Sequence, residues 1–249
     1  MKKNILKVLL FLVLANVGFG DVIQILGNYY SIDKGKVYYG NEILEGANPK
    51  TAELIGFSLL KDDKNVYYMG EKTKDVKIKN FEKLGQNYWK NDNKIYYRDE
   101  KIENADIMSF KVLNEDYAKD KNHVYSGREE IDSSLSGKIK DPKTFEFLPN
   151  GIIYDVWLYG KDKYNVYYIS STMSNCFDSY YFIYEVKGIN RDKVEVLNKW
   201  FIKDDKNIYF KGEILEGVDY NTFEVLPNGD GKDKNRSYEY LTKDELKWF

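Results

Sequence analysis

One heptapeptide recurs seven times along the chain: DKGKVYY (33–39), DDKNVYY (62–68), NDNKIYY (91–97), DKNHVYS (120–126), DKYNVYY (162–168), DDKNIYF (204–210) and DKNRSYE (233–239). Aligned on the residue before the constant tyrosine, the anchors are Val37, Val66, Ile95, Val124, Val166, Ile208 and Ser237, spaced by 29, 29, 29, 42, 42 and 29 residues. A 29-residue unit, lengthened twice by the same 13 residues, accounts for every interval. A unit this short cannot bury an apolar face alone, but stacked copies can, with atypical copies at the ends. The degraded last copy, SYEY at 237–240, suits such an end.

Each unit carries local signals. The polar residues of DKN tolerate turn geometry, and VYY is β-branched plus aromatic, as strands prefer. A glycine three or four residues past the anchor (Gly40, Gly70, Gly127, Gly212) predicts a tight hairpin into a second strand such as EIL at 42–44 and 213–215. An aromatic then falls fifteen residues after the anchor and an aliphatic three later: Phe81 and Leu84, Phe110 and Leu113, Phe223 and Leu226. The first copy has Ala52 and Ile55 there; Phe145 and Leu148 come six residues late, Val194 and Leu197 thirteen late. The insertions therefore lie inside the fourth and fifth repeats, at 149–161 and 170–193. Asp219, flanked by Val218 and Phe223, reads as the cap of one short helical turn. Pro49 and Pro142 sit where a first helical residue needs no N–H. The expected unit is a β-hairpin, a helical turn, and a strand leading to the next copy. The expected fold is all-β, an elongated stack of such hairpins. A seven-bladed propeller is the alternative, disfavoured because a blade takes about 40 residues or more.

The recurring D-K-N-x-[VI]-Y-Y followed by the "gaD..tFe.L" pattern resembles the bacterial DKNYY repeat family over most of residues 29–240. The resemblance implies export or association with the cell envelope, and it brings no catalytic residue or cofactor with it. Ser126, Glu239, the insertions and NDNK in the third copy depart from the pattern.

The N-terminus points the same way. MKKNILKVLLFLVLANVGFG opens with Lys2, Lys3 and Lys7, continues through 13 uncharged residues and ends in small ones. That is the layout of a signal peptide, too short for the ~20 residues of a spanning helix. Residues 1–20 are expected to be a signal peptide and 21–249 one exported domain, periplasmic or secreted. No cysteine lies near enough to make it a lipoprotein. Loss of residues 1–20 leaves 35 basic against 40 acidic residues, net −5. A mixed, mildly acidic surface argues against nucleic acid. Cys176 is the only cysteine, so the domain contains no internal disulfide.

Candidate chemistry is sparse. Zinc asks for several His or Cys side chains, and the chain has His123 and Cys176, one of each, in distant repeats. Asp230, Asp233 and Asn235 invite a calcium reading, but Lys232 and Lys234 interleave them, and turn capping is the simpler role. No cofactor, metal or catalytic residue is expected. The constant tyrosines (Tyr38, Tyr67, Tyr96, Tyr125, Tyr167, Tyr209, Tyr238) are expected to form a structural ladder on one face of the strands, with anchor and variable aromatic on the other. Residues that break the period are better candidates for function: Trp157, Tyr159, Tyr180, Tyr181 and Tyr184, taken as a partner surface in the insertions. The expected function is a non-catalytic envelope binding or scaffold protein acting on another protein through that surface. A carbohydrate-binding module with exposed aromatics is the alternative, and a glycoside hydrolase using two carboxylates is third.

Overall fold

The computed structural model describes residues 23–239, apart from residues 57, 75, 77, 134–136, 154–156 and 174–178. The expected signal segment and Cys176 lie outside the described residues. The described residues are all-β: they form seven small antiparallel sheets, six of four strands and the last of three, each an up-and-down meander and none of the seven closed into a barrel. The second sheet is typical: Glu53–Gly56, Leu59–Lys61, Val66–Tyr68 and Glu71–Lys72, paired in that order.

The sequence repeat and the sheet are out of phase. One repeat, from one DKN turn to the next, gives the last two strands of one sheet and the first two of the following sheet. Residues 62–91 thus supply Val66–Tyr68 and Glu71–Lys72, then Phe81–Lys83 and Tyr88–Asn91 in the third sheet. The sequence reading had one strand after the helical turn; the structure has two. The helical turn is a single 3-10 turn at Ile78–Asn80 and Pro142–Thr144, with Pro142 at its start as expected. The equivalent turn at 219–222 is closed by Asp219, which accepts hydrogen bonds from the N–H (3.2 Å) and hydroxyl (3.0 Å) of Thr222.

Tight hairpins follow the constant tyrosine. Tyr68 pairs with Glu71 across Met69 and Gly70, at φ +48° and +85°, and Phe210 pairs with Glu213 across Lys211 and Gly212, at +48° and +83°. Two central residues at positive φ make the type I′ turn whose twist matches the flanking strands. Gly212 meets a second demand: an added Cβ would stand 2.9 Å from that of Tyr168 in the previous sheet.

Burial follows the alternation along the strands. The anchor and the variable aromatic face the next sheet, and the constant tyrosine faces the previous one. Val37 and Tyr39 of the first sheet therefore meet Leu60 and Tyr67 of the second. Six apolar clusters result, each joining one sheet to its successor, from Tyr30–Tyr67 at the start to Trp200–Tyr238 at the end. They run in single file; among the described residues none joins the first sheet to the last. The last sheet turns the row Glu224, Lys232 and Ser237 outward, all exposed. Polar residues at those positions cap that end of the array.

Candidate functional site

The motif's polar residues are consumed by the fold. Asp162 is 2% exposed, and four donors meet its carboxylate. Oδ1 accepts the N–H groups of Tyr164 (2.7 Å) and Asn165 (2.8 Å); Oδ2 accepts the N–H of Asp141 (2.7 Å) and the hydroxyl of Tyr167 (2.8 Å). Asp120 repeats this with Asn122, His123, Asp106 and Tyr125 at 2.7–2.8 Å. Asp62, Asp204 and Asp233 do the same with Tyr67, Tyr209 and Tyr238. A buried carboxylate is tolerated only when its lone pairs are filled, and each hub here fills both oxygens. The constant tyrosine is thus the hydroxyl donor to a buried aspartate, while its ring packs on the previous sheet. Six of the seven constant tyrosines are buried, and Tyr38 is half-buried.

Five of the seven copies build this hub. DKGK and NDNK instead close two-residue turns, with Asp33 opposite Lys36 and Asn91 opposite Lys94. In the third sheet Trp89 stacks on Tyr96, centroids 4.1 Å apart at 5°.

A second latch was not read from the sequence. The hydroxyls of Thr51, Ser109, Thr144 and Thr222 accept the N–H of the second DKN residue, at 3.0–3.2 Å. Beside it, a lysine at that position pairs with an upstream acid: Lys121 with Asp106, Lys163 with Asp141, Lys234 with Asp219. Where that residue is Asp63 or Asp205, the upstream residue is Asn48 or Asn190, and the amide donates instead. The two positions, 15 residues apart in four copies and 22 in the lengthened fourth repeat, switch together; that covariation within the chain was the available signal.

Titration follows from the hubs. Burial alone would raise the carboxyl of Asp204, but the N–H groups of Asn190, Lys206 and Asn207 with Tyr209 outweigh it and hold it low. In Asp233 burial is likewise opposed by the N–H of Asp219, the Tyr238 hydroxyl and two further N–H groups, and the carboxyl lies well below the ordinary range. Burial, with the neighbouring carboxylate, pushes Tyr209 up to about 12. A depressed folded-state carboxyl stabilises above the unfolded value of about 3.9, and that stability is lost as pH falls toward the folded value. Thermal melts between about pH 2 and 5 should therefore show a steep acid limb. Asp233→Asn should flatten it, leaving the variant's deficit smaller at the acid end than at neutral pH. Parallel limbs for the two proteins would contradict the assignment.

The period breaks in the fifth sheet. Its strands, Glu146–Ile153, Trp157–Lys161, Val166–Met173 and Ser179–Glu185, contain 8, 5, 8 and 7 residues, while strands elsewhere have two to four. Both insertions meet there. The fourth-repeat segment places Ile131 and Ile139 in one cluster with Ile169 and Ile183. Gly137, at φ +137°, runs so close to the last strand that a Cβ would stand 2.2 Å from the Ile183 carbonyl oxygen. The hydroxyl of Tyr181 donates to Ser126 Oγ at 2.7 Å, so the serine that departs from the repeat receives a tyrosine from the insertion.

The five proposed surface residues divide. Tyr184 is 44% exposed and lies along Tyr168 with ring centroids 6.2 Å apart, but it does not break the period: it pairs with Tyr168 as Glu71 pairs with Tyr68 and Glu213 with Phe210. Tyr181 is half-buried against the fourth sheet. The side chains of Trp157 and Tyr180 lie outside those described. Tyr159 is corrected: it is 1% exposed, and its hydroxyl donates to the Trp200 carbonyl at 2.9 Å. It is not out of register. Seven residues before the first six anchors stand Tyr30, Leu59, Tyr88, Tyr117, Tyr159 and Phe201, all buried. Tyr30 and Tyr88 likewise donate to backbone carbonyls of the following sheet, Ser58 and Asp116. Alignment backward from the anchor, not only forward, exposes the column. One aromatic escaped notice: Tyr164 is 51% exposed, where other copies have Gly, Lys or Asn, with the amines of Lys140 and Lys163 4.5 and 4.7 Å from its ring centre.

His123 does not clamp its tyrosine hydroxyl as Asn65 does. Its Nδ1 lies 3.3 Å from Asp132 Oδ1 and 3.5 Å from Glu130 Oε2. Burial raises the Asp132 carboxyl, against the pull of His123. Among the described residues no group of three or more His, Cys, Asp or Glu could hold a metal ion, and no helix is long and apolar enough to cross a membrane.

The model of the DKNYY family matches residues 12–71 and 88–242. No curated protein and no solved structure matches the chain.

Proposed function

The chain belongs to the DKNYY family, and we propose that it is a non-catalytic scaffold, exported to the bacterial envelope, that holds a protein partner at its fifth sheet. The observation carrying this reading is the contrast between that sheet and the others. Elsewhere the repeated aspartates, tyrosines and hydroxyls are spent on hubs and latches. The fifth sheet alone has long strands built by two insertions, and it exposes Tyr184 and Tyr164 where the repeat has no aromatic to spare. Exposed tyrosines on a rigid sheet suit recognition, because an aromatic with two side-chain torsions loses little entropy on binding. Export rests on residues 1–20, and the compartment is the periplasm or the outside.

The test is affinity capture with the protein recovered from an exporting host. Wild type and the Tyr164→Ala/Tyr184→Ala variant would be compared on solubilised envelope. Both sites are largely exposed, so the variant should keep its melting temperature within about 1–2 °C. One protein recovered near stoichiometry with wild type and lost with the variant is the expected result. Equal capture by both would place binding elsewhere. Retention on cell-wall glycan alone would favour the carbohydrate reading.

A further inference from the structure

The two ends of the array differ. The last sheet turns Glu224, Lys232 and Ser237 to solvent, whereas the first turns out the row Ile25, Ser31, Tyr38 and Ile43. In the second sheet the matching row is Leu54, Leu60, Tyr67 and Lys72, and its first three members pack on the sheet before. Ile25 is 81% exposed, Ile23 58% and Ile43 38%. The first sheet therefore keeps an apolar face of the kind that is covered in the sheets behind it.

We infer that this face binds a second copy of the chain, front to front, in a closed two-fold dimer. A head-to-tail stack would set the isoleucines on Glu224, Lys232 and Ser237, so an open filament is disfavoured. Two features fit a self-complementary contact. Ser31 stands at the middle of the row where Leu60 stands in the second sheet; on a two-fold axis a small hydroxyl residue can face its own copy without collision. At the margin of the same face Asp33 lies directly opposite Lys36, and neither forms an ion pair among the described residues. A two-fold rotation can bring Asp33 of each copy to Lys36 of the other. This surface is at the far end of the array from the last sheet and distinct from the fifth-sheet site. One small sheet face lies at the low end of interface size, so dissociation is expected at roughly 10–100 µM.

Sedimentation velocity on the exported protein, from about 2 to 500 µM, tests this. The expected result is a mass that doubles with concentration and then stops. Ser237→Lys, at the opposite end, should behave identically, while Ile25→Lys stays monomeric with an unchanged melt. Asp33→Lys should weaken the dimer at least several-fold, and Asp33→Lys/Lys36→Asp should restore it. A monomer throughout, growth beyond a dimer, or a dimer indifferent to both Ile25→Lys and the charge reversal would each overturn the inference.

Discussion

Asp120→Ala is expected to destabilise the protein by about 3–5 kcal/mol, the cost of removing one partner from a buried charged network. Asp120 is 1% exposed, and its loss strands the N–H groups of Asp106, Asn122 and His123 and the hydroxyl of Tyr125. Each buried donor left alone costs about 1–3 kcal/mol where water cannot enter. The alanine pocket can admit some water, which is why the total is below the sum. Asp120→Asn should cost less. Its remaining oxygen can keep the Asn122 and His123 bonds, while its amide turns a donor toward the N–H of Asp106. Chemical denaturation should rank wild type above Asp120→Asn above Asp120→Ala. Equal stability of the three would remove the hub from the account.

Tyr159→Ala is the second large effect, also about 3–5 kcal/mol, from an aromatic truncated in a packed core. Tyr159 joins Val166 and Tyr168 of its own sheet to Ile202 and Tyr209 of the next. Tyr159→Phe isolates the hydroxyl. It leaves the Trp200 carbonyl without that donor, a loss of about 0.5–1.5 kcal/mol. Tyr184→Ala in the same sheet should be within about 0.5 kcal/mol of wild type, as expected of a surface position. The ordering Tyr159→Ala far below Tyr159→Phe, with Tyr184→Ala near neutral, separates a tyrosine buried between sheets from one exposed beside them. A neutral Tyr159→Ala would restore that residue to the surface.

What could be read from the sequence was local. VYY strands, glycine at the hairpin and Pro142 at a helical start each declare themselves within a few residues, and constant spacing puts them in phase. The hub is not local. Asp162 reads as an ordinary turn residue until Asp141, 21 positions upstream, brings its N–H to the second oxygen. The second strand after each helical turn was missed because YWKN and FIKD lean on DKN so closely that they look like its approach. Tyr159 was misassigned for a related reason: an insertion in the preceding residues makes an in-register tyrosine look like part of the inserted loop. In the candidate site, Tyr184 looks inserted when counted forward from its anchor, but counted back from the next unit it holds the place of Glu42, Glu71 and Glu213, and Tyr164, hidden inside a DKYN copy, was not seen at all.

Stability is expected to pass from each sheet to the next in chain order, as in other repeat arrays. Residue-resolved hydrogen exchange on Asp120→Ala tests it most directly. Protection should fall most in the third and fourth sheets, joined by Tyr88, Ile95, Ala118 and Tyr125, while strands Phe201–Lys203 and Ile208–Phe210 keep most of theirs. An equal loss of protection in all seven sheets would contradict the claim, because it would mean one indivisible core.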